Sequence, residues 1–121
     1  MLVGVRATFG GQHSGRGTRN ALMALGPATY LEIIAPDPEQ APPKTPRPFG
    51  IDRLKESRLV AWAANGKELD LLRRDAASKG VELGEVSSGS RQRPDGVVLS
   101  WRSTNPRTEV ADGIVPFFID W

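Results

Sequence analysis

The chain has 121 residues, 39% of them hydrophobic, and a net charge of +2, which suits one domain able to bury a core without staples. It has no cysteine. That excludes a disulfide framework, thiolate-bound zinc, iron–sulfur clusters and a thiol nucleophile, and it suits a reducing, cytoplasmic compartment.

No run approaches ~18 apolar residues, so no transmembrane helix is expected. Met1–Arg6 lacks the charged leader and long apolar run of a signal peptide. Gly10 to Gly17 reads as a glycine-rich loop between extended segments. It lacks the Lys-Ser/Thr ending of a phosphate-binding loop. Thr18 to Leu25 (TRNALMAL) is ambiguous, because its Ala and Leu content favours helix but it is short and stops before the Gly26-Pro27 turn signal. Thr29 to Ala35 (TYLEIIA) reads as a strand ending at Pro36. Alternation would place Tyr30, Glu32 and Ile34 on one face and Leu31 and Ile33 on the other.

Residues 36–50 hold six of the ten prolines, so they predict an irregular connection, either a linker or a functional flap. A short helical or turn element follows at Ile51 to Glu56, and Arg58 to Ala64 reads as a strand. The clearest helix spans Lys67 to Lys79, with Leu69, Leu72 and Ala76 at helical spacing and Gly80 as its stop. Val81 to Val86 predicts a strand that Ser87 to Arg93 could extend. Pro94-Asp95-Gly96 is a turn signal, Val97 to Arg102 a returning strand, and residues 103–113 a polar loop. Ile114 to Trp121 is the last strand, with Pro116 suggesting an edge or a bulge.

The second part therefore reads β-α-β-β-β, and the first part reads like its last three strands. Four segments occur in order: Gly10 to Leu22 (GGQHSGRGTRNAL), Tyr30 to Pro38 (YLEIIAPDP), Ser90 to Gly96 (SRQRPDG) and Val115 to Trp121 (VPFFIDW). Together they make the chain similar to glyoxalase-like domain proteins of the vicinal oxygen chelate superfamily. The resemblance implies an α+β fold of βαβββ modules whose sheets curve around a cleft. It divides the chain into a partial first module (1–36) lacking its opening strand and helix, a connection (37–57) and a full second module (58–121).

The resemblance also implies where metal ligands would sit. Glu32 matches a ligand position, but the other expected positions carry Arg19, Trp62 and Phe117-Phe118, with Asp120 nearby. One Glu and one His, His13, make too few ligands for a mononuclear site. No metal and no cofactor are expected.

Glu32 is the candidate catalytic residue, a general base or cleft ligand, or else a carboxylate paired with an arginine for structure. Arg19, Arg91 and Arg93 could fork onto a carboxylate or phosphate, or lie solvated at the surface, as Arg16 and Arg102 could. Asn20 could add an amide contact. Trp62, Trp101, Phe117 and Phe118 read as core, with Trp101 also a possible cleft wall. His13, alone in its loop, could serve catalysis there or lie at the surface, as a lone loop histidine more often does. Cations exceed acids by only two and are scattered, so a nucleic-acid partner is not expected.

The expected function is a small-molecule-binding protein or a metal-independent enzyme with a polar or anionic ligand held by Arg19, Asn20 and Glu32. The alternative is a non-catalytic remnant or interaction module. In either case a missing strand and helix would leave an open edge, and a homodimer is expected, formed through Met1 to Phe9 and Ile114 to Trp121.

Overall fold

A computed structural model describes residues 4–107 and 110–121. Met1 to Val3, part of the expected dimer segment, and Thr108 and Glu109, part of the expected 103–113 loop, lie outside them. The described elements are seven strands, one α-helix and two short 3-10 turns, an α+β fold. The chain forms two compact units, residues 1–47 with 90–99 and residues 48–89 with 100–121.

The first unit is built on β1 (Thr8–His13), β2 (Thr18–Gly26) and β3 (Thr29–Pro36). Strand β2 pairs antiparallel with β1 on one side and β3 on the other. One expectation is corrected here and one ambiguity is resolved. Gly10 and Gly11 belong to a strand rather than a loop, and the loop shrinks to residues 14–17. Gly10 is the extra residue of a bulge, because Phe9 pairs with Ala21 and Gly11 with Asn20. TRNALMAL is a strand, since hydrogen-bonding partners on both sides override the modest helix preference of Ala and Leu.

The proline-rich segment is tied down in this unit by polar contacts. The Asp37 amide donates to Gly17 O at 2.9 Å, and the Gln40 side chain donates to Thr18 O at 3.1 Å and to Asp37 Oδ2 at 2.8 Å. Arg47 Nε donates to Gly17 O at 2.7 Å. These bonds fasten the segment to Gly17 and Thr18.

The second unit follows the order expected of a βαβββ module, beginning with β4 (Ala63–Asn65) and α1 (Leu69–Ser78). Strands β5 (Ser87–Gln92), β6 (Val98–Ser103) and β7 (Phe117–Asp120) complete it. Residues 90–92 of β5 and 98–99 of β6 belong to the first unit. There Gln92 pairs with Gln12 of β1, and the turn closes through Gly96 N to Arg93 O at 2.9 Å. Strand β4 runs parallel to β7, and β6 antiparallel to it.

Three boundaries differ from expectation. Strand β4 occupies only the end of the expected Arg58–Ala64 strand. Val81 to Val86 is not a strand, and the polar run after it, Ser87 to Gln92, is. The final strand begins only after Pro116, at Phe117, where the backbone amides are free to pair. Leu69 of α1 is 1% exposed, Leu83 4% and Ile51 8%, and these are the buried apolar side chains among the described residues of this unit. Gly80, with φ of 82°, stops the helix as expected, and the Val81 amide closes back onto Ala76 O.

Candidate functional site

The register of the first unit sorts its side chains between two faces. In an antiparallel pair, directly opposed residues point to the same side and neighbours along a strand to opposite sides. His13 opposes Thr18, Asn20 opposes Ile34, and Leu22 opposes Glu32. His13, Thr18, Asn20, Tyr30 and Glu32 therefore share one face. Gln12 opposes both Arg19 and Gln92, so these three lie on the other. Arg91, next to Gln92, falls on the face of Asn20.

On that face the polar groups meet. Asn20 Nδ2 donates to Glu32 Oε1 at 2.7 Å, and Arg91 Nη1 donates to Asn20 Oδ1 at 3.5 Å. His13 Nε2 lies 3.7 Å from Glu32 Oε1, and its Nδ1 is 2.9 Å from Thr18 Oγ1. A proton on Nε2 faces the carboxylate, which leaves Nδ1 to accept the Thr18 hydroxyl. His13, Thr18, Asn20 and Arg91 are all buried, whereas the Glu32 side chain is 37% exposed. The site is thus a buried polar floor with a carboxylate open to solvent.

Burial and the nearby guanidinium groups of Arg16 and Arg91 push His13 down from its ordinary 6.5 to about 4. The imidazole is therefore neutral at neutral pH. The Tyr30 hydroxyl is pushed up by burial and by the negative charge of Glu32, with Arg91 opposing.

The bulge in β1 makes room for this arrangement. A Cβ on Gly10 would overlap both Asn20 Oδ1 and Arg91 Nη1, and one on Gly11 would overlap the Gln92 carbonyl. Gly11, at φ of 141°, also holds a conformation that L side chains rarely adopt. Gly10 and Gly11, two of the glycines that suggested a loop, are strand residues over which other groups pack.

Of the residues singled out from the sequence, the structure brings Asn20, Glu32 and Arg91 together. Arg19 is on the opposite face, where its charge acts on Asp37. Arg93 pairs with Asp95 at 2.9 Å in the hairpin turn. Trp101 belongs to the second unit, where its indole packs over Gly89 and lies 5.1 Å from the ring of Trp121. Arg102 pairs with Asp70 at 2.9 Å in the same unit. Glu32 is bonded to an amide rather than paired with an arginine.

His13, expected at the surface, is 6% exposed and sits at the end of a strand. Reasoning from the sequence considered it and favoured the surface, and it missed Thr18, Tyr30 and Gly10. The signal was there in part, since Tyr30 and Glu32 stand two apart on a strand already recognised.

A model of the glyoxalase-like domain matches residues 1–121. The chain belongs to the glyoxalase-like domain family. Its fold is similar to that of a hypothetical protein from Staphylococcus aureus, known from a crystal structure, with a TM-score of 0.61 and 15% identity. The match covers 98% of this chain and 50% of that one, so the chain spans about half the length of that structure. No curated protein matches.

Metal use in this glyoxalase-like domain turns on its donor set. Among the described residues no three His, Cys, Asp or Glu side chains come together to hold an ion. His13 and Glu32 alone fall short of the three protein ligands a catalytic zinc takes. The described residues do not fit a resident metal.

Proposed function

We propose that this glyoxalase-like domain binds a small polar or anionic molecule on the polar face of its first unit. It would act as a binding protein or as a metal-independent enzyme of vicinal oxygen chelate type. The observation that carries this reading is the convergence of His13, Asn20, Glu32 and Arg91 from four strands onto one face. Folds do not fix function, so the reading rests on these side chains rather than on the family.

The chemistry follows from their states. Glu32 is solvent-accessible and oriented by the Asn20 amide, as a proton acceptor must be. His13 is neutral and lies 3.7 Å from the carboxylate without neutralising it. Arg91 supplies positive charge for an anionic group or for an oxygen on which negative charge develops. The cysteine-free chain would work in the cytoplasm, and among the described residues no helix is long and apolar enough to cross a membrane.

A thermal-shift screen of small acids and their amides on the chain and on Asn20→Ala tests the reading. Compounds that raise the melting temperature of the parent should lose the effect in the variant. Hits that persist unchanged in Asn20→Ala place the ligand elsewhere and overturn it.

A second reading, an interaction module that self-associates, has its own support. In the first unit Phe9 and Ile33 share the face away from Glu32, both in register with Ala21, and are 51% and 47% exposed. Among the described residues β3 has a strand on one side only. Such a surface suits a second copy of the chain.

A further inference from the structure

We propose that Arg91 is the seat of a carboxylate. The ligand of this site would be a small monocarboxylate with a hydrogen-bond donor on the carbon next to it. The inference rests on the reading of the first unit as a ligand site and adds the ligand's class.

Arg91 is 7% exposed, yet its side chain makes one hydrogen bond among the described residues, the long one to Asn20 Oδ1. No carboxylate of the described residues reaches it at ion-pair distance. No buried side-chain nitrogen among those residues lacks a partner, so the guanidinium nitrogens that make no bond open to solvent. The guanidinium thus offers unbonded donors with no described carboxylate at ion-pair distance, and a planar carboxylate matches its fork with two parallel bonds.

Asn20 sets the rest of the ligand. Its amide reaches Arg91 through Oδ1 and Glu32 through Nδ2. A molecule lying across Asn20 meets a cation at one end and an acceptor at the other. Its far end must therefore donate, as a hydroxyl or ammonium does. The charge of Glu32 disfavours a second negative charge, which argues for a monocarboxylate over a phosphate dianion.

Gly10 makes this geometry possible. Its φ is not in the left-handed region, so alanine would fit the backbone, but its methyl would overlap Asn20 Oδ1 and Arg91 Nη1. Gly10 is thus a positioning residue for both.

His13 is the only histidine, so its imidazole gives an isolated NMR signal beside the site. Glycolate, acetate, glycolamide and inorganic phosphate are titrated into the folded chain. Glycolate should shift the His13 signal saturably and bind more tightly than acetate, with phosphate and glycolamide weaker than both. Arg91→Gln should weaken glycolate about tenfold, and Gly10→Ala, should Arg91→Gln not fold, should do so with an otherwise native amide spectrum. Glu32→Gln should narrow the preference for glycolate over acetate.

Phosphate binding as tightly as glycolate would overturn the carboxylate assignment. Glycolamide matching glycolate would remove the role of Arg91 while leaving the ligand site standing. Silence of His13 toward all four probes would overturn the proposal. The site reading falls separately, by thermal-shift hits that survive Asn20→Ala.

Discussion

Glu32 owes its candidacy to its setting more than to its charge. The Asn20 amide holds one carboxylate oxygen at 2.7 Å, and 37% of the side chain remains open to water. Replacing it with Gln removes the charge and keeps the shape. Ligand binding should fall about tenfold, while stability in urea should change by less than about 1 kcal/mol, since a part-exposed group contributes little to folding. Unfolding of Glu32→Gln would instead make the carboxylate a structural partner.

His13 contributes to stability with a definite sign. Its folded value of about 4 lies below the ordinary 6.5, so the unfolded chain takes up the proton first. The contribution is full above pH 6.5 and is lost as pH falls toward 4, on the order of 3 kcal/mol in all. Urea unfolding at several pH values should show this loss in the parent chain and a much smaller one in His13→Gln. Equal slopes would mean that the imidazole is solvated in the folded protein.

Among the elements, strand β1 depends on its glycines. Gly11 combines a positive φ with a close approach to the Gln92 carbonyl, where β1 meets β5 through Gln12 and Gln92. Gly11→Ala should destabilise by about 1–3 kcal/mol and speed hydrogen exchange at the Gln12 and Gln92 amides. Unchanged exchange there would show that the two strands do not need this approach.

The same strand shows how far the sequence could be read. Thr29 to Ala35 and the helix around Leu69 were legible because alternation and a 3.6-residue stripe are local signals. Gly10 and Gly11 misled, because their small size answers to residues distant in sequence, Asn20, Arg91 and Gln92. TRNALMAL was ambiguous for a similar reason, its partners being two other strands. At the site, Asn20, Glu32 and Arg91 were singled out by residue type. That Arg19 faces away from Asn20 follows from strand register, which was invisible while that segment was ambiguous. His13 looked like a surface residue because a lone histidine between glycines carries no periodicity.

For the molecule as a whole, the exposed apolar side chains of the first unit and the open side of β3 bear on assembly. A two-fold pairing of copies would cover both. Light scattering on a size-exclusion column should give about twice the chain mass of 13.1 kDa, and Ile33→Lys should shift the mass toward the monomer. A monodisperse monomer at micromolar concentration would remove the self-association reading without touching the ligand site.

The ligand site itself requires that one face of the first unit be a preformed, desolvated polar surface with a neutral imidazole beside Glu32 and Arg91. Titration of the His13 ring by NMR, with no ligand added, reads this directly. The account predicts a midpoint near 4 that rises in Arg91→Gln, since a cation bearing on the ring has been removed. A midpoint near the ordinary 6.5, unmoved by Arg91→Gln, would show a solvated histidine and contradict the site.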